Sequence, residues 1–284
     1  MRAAEWSGGV GETWAREWQR TDRSFAGLED SLRQAILAAA GGADRLVDLG
    51  CGAGTTSLGI AAALPDRGVI GLDLSGDLIA VAEARRLEAR AGTCRFLAGD
   101  AIAEVAALAP VDLFFSRHGV MFFDDPLGAF TSFAAAAAPD ARLVFSCFTA
   151  PADNPWATDT VAAVTADDAQ PLPSPAPAAP GPFAFADPAR VAAILADSGW
   201  AAGSPQRVEF PYVAGVGEDP VADALVFFGG IGPAAAALRN ASEAMRPALL
   251  DRLAEVCRRR CNGGEVAFPA SAWLWSATRQ GSGR

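Results

Sequence analysis

Short apolar runs alternate with alanine-rich amphipathic stretches from residue 45 onward, and this rhythm constrains the fold more than any other feature of the sequence. The runs read RLVDL, GVIGLDL, TCRFLAG, VDLFFS and ARLVFSCF, and each is too short to be a helix. Strands that alternate with helices of about 10 to 15 residues are typical of right-handed βαβ units, whose parallel sheet is covered by helices on both faces. The sequence therefore predicts an α/β fold with a mostly parallel sheet.

Composition excludes several kinds of chemistry. All 23 basic residues are arginine, which excludes a Schiff-base lysine, a lysine general base and a phosphate-binding loop that ends in Gly-Lys-Ser/Thr. The net charge of -10 repels phosphate backbones, so no nucleic-acid partner is expected. Five scattered cysteines, no CxxC pair and a single histidine predict reduced thiols and no metal site. With no signal peptide and no membrane span in the sequence, we expect a cytoplasmic protein.

The turn after the first predicted strand carries three glycines at alternate positions, Gly50, Gly52 and Gly54. Glycine permits positive φ and lets a ligand lie against bare backbone at the start of the next helix. The dinucleotide fingerprint has glycine at its first, third and sixth positions, but the sixth position here is Thr55. The spacing, preceded by Asp48, therefore favours a nucleoside with an amino-acid tail over a pyrophosphate.

Polar residues also follow the next three predicted strands. Asp73 ends the second run, and its two carboxylate oxygens match the paired hydroxyls of a ribose, while Ser75 is the better candidate for the cap of the next helix. Asp100 follows the third run and is expected either to receive an adenine amino group or to cap a helix. Ser116 to His118 follow the fourth run. Because ligands bind at the carboxyl ends of parallel strands, these groups are expected to converge on one edge of the sheet.

The segments VDLGCGAGT, GLDLS, GDA and VDLFFSRHGVMFF resemble the motif series of class I S-adenosylmethionine-dependent methyltransferases. The resemblance is strongest over residues 45–149. More loosely, the whole chain is similar to a bacterial small-molecule group that resembles the ubiquinone and menaquinone biosynthesis methyltransferases in its core. The features that carry this looser likeness are Trp6, Trp14, residues 121–123, Asp125, Pro126 and residues 154–156, 180–183 and 272–274.

The resemblance implies a Rossmann-like, seven-stranded, mostly parallel sheet with helices on both faces and a helical lid. It also implies methyl transfer from S-adenosyl-L-methionine to a small molecule, with S-adenosyl-L-homocysteine as the product. The residues expected to bind the cofactor are Asp48, Gly50, Cys51, Gly52, Gly54, Asp73, Leu74, Asp100, Ala101 and Ser116. The sequence departs from the family at residues 139–141, which read PDA where PGG is usual, and at His118, where the family has an aromatic residue.

Three residues are candidates for the acceptor side of the site. His118 is the one side chain whose ordinary pKa suits a general base near neutrality, with turnover then rising through an ionisation near pH 6 to 7; the alternative is that it packs as an aromatic substitute. Arg117 is expected either to bind an acidic substrate group or to brace the loop. Trp14 is expected near the substrate or sulfonium, although its spacing to Trp18 also suits a buried helix face.

Four segments are expected along the chain. Residues 1–44 predict an N-terminal helical cap, and residues 45–218 predict the cofactor-binding core, in which 150–185 is a proline-rich loop. Residues 219–262 predict a helical lid insertion, and 263–284 the last strand and a tail.

Two alternative functions stay open on the sequence alone. The first is an NAD(P)-dependent oxidoreductase. The glycine spacing disfavours it, and the chain has no lysine, so it cannot contain a catalytic Tyr-x-x-x-Lys pair. The second is a non-catalytic module that binds S-adenosylmethionine. The acceptor is expected to be a small apolar or aromatic molecule, while its identity, its reacting atom and the oligomeric state are not predicted.

Overall fold

A computed structural model describes residues 3–6, 8–165 and 179–281. The strands in chain order are β1 (Arg45–Leu49), β2 (Gly68–Asp73), β3 (Cys94–Ala98), β4 (Val111–Arg117), β5 (Ala137–Phe148), β6 (Trp200–Ala202), β7 (Gln206–Val216), β8 (Cys261–Asn262) and β9 (Glu265–Arg279). The N-terminal helices are α1 (Ala3–Trp6), α2 (Gly9–Arg16) and α3 (Trp18–Ala40). The helices between strands of the parallel half are α4 (Thr55–Ala63), α5 (Gly76–Glu88), α6 (Ala101–Glu104) and α7 (Pro126–Ala136). The later helices are α8 (Pro155–Thr165), α9 (Pro188–Asp197), α10 (Pro220–Gly230), α11 (Pro233–Asn240) and α12 (Arg246–Arg259).

All strands form one sheet, in the order β3-β2-β1-β4-β5-β9. The first five of these positions are parallel, and β9 runs antiparallel to β5. Residues 46–49 of β1, 113–116 of β4 and 143–148 of β5 are buried, as expected for strand segments that helices cover on both faces. The predicted α/β, Rossmann-like, mostly parallel fold is confirmed.

The predicted number of strands, seven, is wrong, because the described residues contain nine. The edge of β9 away from β5 pairs with β6 and with β7. Residues 203–205 between these two strands interrupt the pairing, because Gly203 weakens a strand and Pro205 has no N–H to donate. β8 is only two residues long and pairs with the start of β9 across Gly263 and Gly264, both at positive φ. Segments this short have too little periodicity to be recognised in a sequence.

The N-terminal helices cover one end of the sheet and part of one face. α3 packs against β7, β5 and β4, and it buries Leu28, Leu32 and Ile36 completely. α2 packs on α5, where Gly11 lies so close to Ser75 that a Cβ at Gly11 would overlap the serine side chain. The start of the chain is thereby held next to the carboxyl end of β2.

Residues 219–262 hold three helices. α10 packs on β7, and α11 and α12 pack on α8, so this segment is attached to the core by its own apolar faces. The predicted boundaries of the four segments stay predictions, and most of the proline-rich stretch lies outside the described residues. In the described ranges no single helix has the length and composition of a membrane span; α10 and α11 pass that test only as a pair, bent by 79°.

Candidate active site

A cavity of about 1660 Å³ lies at the carboxyl ends of β1, β2 and β4. Its walls come from α2 and α3, from α8, from the 179–190 segment and from α11. A pocket for one drug-sized ligand usually measures about 300 to 1,000 Å³. The volume is therefore sufficient for two ligands side by side.

The glycine-rich turn forms one wall of this cavity. Backbone N–H groups of Gly50 and Cys51 both donate to the carbonyl of Leu72, at 2.9 and 3.0 Å, which fixes the turn against β2. Gly50 and Gly52 have φ of 68° and 54°, in the left-handed region that favours glycine. A Cβ on Gly50 would lie 3.0 Å from the backbone of Gly119, whereas one on Gly52 would meet nothing within 4 Å. The turn thus presents open backbone at Gly52.

Asp73 is held at the tip of β2 by backbone donors. The N–H of Gly52 donates to its Oδ2 at 2.8 Å, and the N–H of Ser75 donates to its Oδ1 at 2.9 Å. Burial raises the pKa of Asp73, and these two hydrogen bonds lower it. Ser75 caps α5 by accepting from Leu78. Each Asp73 oxygen therefore keeps acceptor capacity towards the cavity that Asp73 and Leu74 both line.

Asp48 carries an unpaired oxygen in the same cavity. Its side chain is 1% exposed, and the hydroxyl of Ser57 donates to Oδ2 at 2.6 Å, while Oδ1 has no hydrogen-bond partner. Burial raises the pKa of Asp48 to about 7. A buried carboxylate oxygen without a partner is costly, so a cationic ligand group next to Oδ1 would be stabilised.

The other candidate cofactor residues divide into two groups. Asp100 and Ala101 line the cavity, and Asp100 also caps α6, because its Oδ1 accepts from the N–H of Ile102 at 2.9 Å. Gly54 and Ser116 do not line it. A Cβ on Gly54 would lie 2.6 Å from the ring of Phe96, so close packing requires glycine there.

Ser116 links the ends of two strands. Its hydroxyl donates to the carbonyl of Leu49 at 2.6 Å and accepts from the N–H of Gly119 at 3.1 Å. The Ser116 hydroxyl therefore has both its donor and an acceptor position occupied by protein groups, and the side chain is fully buried. The structure therefore places Ser116 behind the cavity wall, where it aligns β4 with β1.

His118 lies directly after β4 with φ of 60°, a conformation in which histidine is enriched relative to most residues. Its ring is 4% exposed and lies between Phe25 and Phe148, with centroid distances of 4.8 and 4.3 Å. Nδ1 is 2.9 Å from the hydroxyl of Ser146, and Nε2 has no partner among the described residues. Burial, together with the nearby Arg117 charge, lowers the pKa of His118 to about 3, so the ionisation expected near pH 6 to 7 is displaced to strongly acidic pH.

Arg117 is engaged by the N-terminal cap. Its guanidinium donates to Asp22 Oδ1 at 2.8 Å and lies 3.6 Å from Glu29. Asp22 also pairs with Arg85 at 3.1 Å and accepts from the hydroxyl of Thr55. These contacts support the bracing role for Arg117 over contact with an acidic substrate. Sequence analysis missed Asp22, although its spacing of seven residues from Glu29 places both carboxylates on one face of α3.

Aromatic side chains enclose the opposite half of the cavity. Phe148 and Trp156 are 4.8 Å apart, Tyr212 stacks on Trp156 at 4.7 Å, and Phe183 completes the group at 5.9 Å from Trp156. Burial raises the pKa of Tyr212. We call Phe25, Phe148, Trp156, Phe183 and Tyr212 the aromatic box. Sequence analysis did not identify it, because its members come from four distant segments.

The N-terminal tryptophans take different positions. Trp14 lines the cavity and contacts Trp6 at 5.4 Å, and Trp6 packs edge-on against Phe122 at 5.1 Å. Trp18 also lines it, but its ring is covered by the guanidinium of Arg85 at 4.1 Å. Trp14 is therefore available to a ligand, while Trp18 is engaged by Arg85. Within the described residues, no three histidine, cysteine or acidic side chains lie close enough together to hold a metal ion.

Comparison with known proteins bears on the core. Residues 46–140 match the family described as methyltransferase domain. No protein of curated function matches the chain. Among solved structures, the YcgJ protein of Bacillus subtilis is 20% identical with a TM-score of 0.56, and the alignment covers 89% of this chain and 99% of that one. A candidate methyltransferase from Bacillus halodurans is 13% identical with a TM-score of 0.56, covering 88% and 100%.

The fold is shared with proteins of other activity. The cyclase SpnF is 14% identical with a TM-score of 0.51, and the alignment covers 89% of this chain and 80% of that one. These likenesses show the fold, and the activity must be argued from the site. Residues 46–140 are thus similar to a methyltransferase domain, and the predicted class I S-adenosylmethionine-dependent methyltransferase agrees with this match over that part of the chain.

Proposed function

We propose that the protein transfers the methyl group of S-adenosylmethionine to a small apolar or aromatic acceptor held in the aromatic box. The observation that carries the proposal is that one large cavity is lined by carboxylates and open backbone at the ends of β1 to β3 and by aromatic rings beside His118, at the end of β4. The carboxylates and open backbone, which we call the polar half, are the groups that a nucleoside with an amino-acid tail requires. The rings, which we call the aromatic half, are the apolar walls that a neutral acceptor requires.

The polar half fits the cofactor group by group. Asp73 would accept from the two ribose hydroxyls, Gly52 offers open backbone to the tail, and the unpaired Oδ1 of Asp48 would receive the ammonium group. Asp100 and Ala101 would contact the adenine, next to Leu74. We assign Gly54 and Ser116 to bracing this half instead of contacting the cofactor. When bound, S-adenosylmethionine supplies an electrophilic methyl group, so the protein's task is to position the acceptor and exclude water.

The aromatic half fits an uncharged acceptor. The rings of the aromatic box are mostly buried, and Trp14 and Phe122 also line the cavity. Enclosure by the cap suits a small molecule better than a nucleic acid, and the acidic net charge also disfavours nucleic acid. Five free thiols are consistent with a cytoplasmic location, which we include in the proposal.

Calorimetric titration of S-adenosylhomocysteine tests the cofactor assignment. Asp73→Ala removes the acceptor of both ribose hydroxyls, and we expect it to weaken binding by about 2 to 4 kcal/mol. Asp66→Ala is the matched control, because Asp66 is exposed and lies at the other end of the sheet. Equal affinity of the folded Asp73→Ala variant and the parent protein would refute the assignment.

Product formation tests the reaction itself. Release of S-adenosylhomocysteine from S-adenosylmethionine in the presence of a panel of small aromatic acceptors, above the rate without acceptor, supports methyl transfer. Tight cofactor binding with no release across acceptors that demonstrably bind would favour the non-catalytic module. Stabilisation by NAD(P) and not by S-adenosylhomocysteine would favour the oxidoreductase instead, since a ligand at 100 times its Kd adds about 2.7 kcal/mol of stability.

A further inference from the structure

The hydrogen-bond partners of the two imidazole nitrogens determine which nitrogen of His118 carries the proton. Ser146 is fully buried, and the only side-chain hydrogen bond of its hydroxyl within the described residues joins it to His118 Nδ1. A hydroxyl must donate to avoid a buried unpaired hydrogen, while a neutral imidazole has one donor and one acceptor nitrogen. The two tautomers therefore differ in how many groups they leave unpaired.

Donation from Ser146 to Nδ1 satisfies the hydroxyl hydrogen and the imidazole lone pair together. It leaves one unpaired donor, Nε2–H. The reverse arrangement, in which Nδ1–H donates to Ser146 Oγ, leaves the hydroxyl hydrogen with no acceptor and the Nε2 lone pair with no donor. Because unpaired buried polar groups cost about 1 to 3 kcal/mol each, the first arrangement is favoured.

We propose that His118 acts as a neutral hydrogen-bond donor, offering Nε2–H to a carbonyl oxygen of the acceptor, and that the aromatic box therefore selects aryl or apolar carbonyl compounds. The proposal rests on the proposed function, because it assigns a chemical class to the acceptor of that site. It differs from the general-base role, which requires a free Nε2 lone pair.

Three observations support a hydrogen-bond donor at the cavity wall. His118 lines the cavity, and its ring lies between Phe25 and Phe148 of the aromatic box. Its Nε2 is the unpartnered atom, and the side chain is more than nine-tenths buried. Burial first, and then the neighbouring guanidinium of Arg117, lower the pKa of His118, so the ring is neutral. An oxygen ligand would pair a donor that is otherwise left unsatisfied.

Because the chain has a single histidine, the protonation of each imidazole nitrogen can be measured directly. Protein labelled with ¹⁵N-histidine gives one pair of imidazole nitrogen signals, whose shifts distinguish protonated from unprotonated nitrogens. We expect a protonated Nε2 and an unprotonated Nδ1 in the protein without ligand. A protonated Nδ1 would overturn the proposal. Ser146→Ala should move both shifts towards a tautomer mixture, whereas Ser132→Ala, whose hydroxyl bonds to Gly128 on α7, should leave them unchanged.

A matched pair of probes tests the chemical class. Acetophenone carries a carbonyl oxygen, and α-methylstyrene replaces that oxygen with a methylene group of nearly the same shape. In the presence of S-adenosylhomocysteine, acetophenone should shift the Nε2 signal and α-methylstyrene should not. In His118→Phe, which keeps a ring at this position, the preference for acetophenone relative to α-methylstyrene should fall about tenfold, as expected for one lost hydrogen bond. An unchanged ratio would overturn the assignment of substrate class.

Failure of the two proposals can be told apart. The tautomer is measured without cofactor, so a protonated Nδ1 in a protein that binds S-adenosylhomocysteine refutes only the donor role. Absence of S-adenosylhomocysteine binding, with Nε2–H and the probe preference intact, refutes the proposed function and leaves a carbonyl-binding site.

Discussion

The two halves of the cavity are built from different materials. The polar half consists of backbone N–H groups and carboxylates at or just after the carboxyl ends of β1, β2 and β3, all within residues 48–101, as with Asp48, Asp73 and Asp100. The aromatic half brings Phe25 from α3 together with Phe148, Trp156 and Tyr212 from later elements. The residues of the polar half are close together in the chain, so proteins that use the same cofactor can share them. The residues of the aromatic half come from distant segments, so they can change with the acceptor. The difference predicts that substitutions in one half leave ligand affinity in the other half intact.

The strongest test of this independence is Trp156→Ala. Trp156 is 3% exposed, stacks on Tyr212 and donates its Nε1–H to Asn154, so truncation leaves a large cavity. We expect a loss of about 3 to 5 kcal/mol in the free energy of unfolding, measured by urea denaturation. The affinity of the folded variant for S-adenosylhomocysteine should be unchanged within error. Trp156→Phe is the control, with a smaller loss of stability; a large fall in cofactor affinity in either variant would contradict the independence of the halves.

The residues of the polar half can be predicted from the sequence where each lies next to a recognisable strand end. Gly52 and Asp73 were found from glycine spacing and from a carboxylate at a strand tip, and both line the cavity. The aromatic box was not found, because a buried ring such as Tyr212 has the same sequence signature as any core residue. His118 was noticed as a departure from a related family, but its chemistry depends on Ser146, 28 residues away across the β4–β5 pair.

Asp22 joins the two halves, and its removal should affect both. It pairs with Arg117 on the aromatic side and with Arg85, which donates to Ala53 and Thr55 on the polar side. Asp22→Asn keeps the shape and removes the charge, and we expect a loss of about 1 to 3 kcal/mol of stability, because the group is only partly buried.

The matched control lies on the same helix. Asp30→Asn removes an exposed pair with Arg33 and should change stability by less than about 0.5 kcal/mol. Thermal unfolding of both variants with and without S-adenosylhomocysteine measures the effect. Equal stability of Asp22→Asn and Asp30→Asn would show that the cap is held by apolar packing alone.

The smallest expected effect is on the pH dependence of the free energy of unfolding, to which the two halves contribute with opposite sign. In the aromatic half, the folded pKa of His118, about 3, lies below its ordinary value of 6.5, so between these values the unfolded state binds more protons and acidification destabilises the protein. In the polar half, the folded pKa of Asp48, about 7, lies above 3.8, so acidification through that range stabilises it.

Replacing His118 removes only the first contribution. On going from pH 7 to pH 5, the stability of His118→Phe relative to the parent protein should rise by about 1 to 2 kcal/mol, as measured by urea denaturation at the two pH values. Parallel pH dependence of the two proteins would show that His118 is accessible to protons in the folded state.

A crystal structure with bound S-adenosylhomocysteine would show directly whether one half of the cavity holds the cofactor and the other half is left for the acceptor. We expect ribose hydroxyls within hydrogen-bond distance of both Asp73 oxygens, the ammonium group at Asp48 Oδ1, and an aromatic box left open beside His118. Density for the nucleoside inside the aromatic box, or a tail directed away from Gly52 and Asp48, would contradict it.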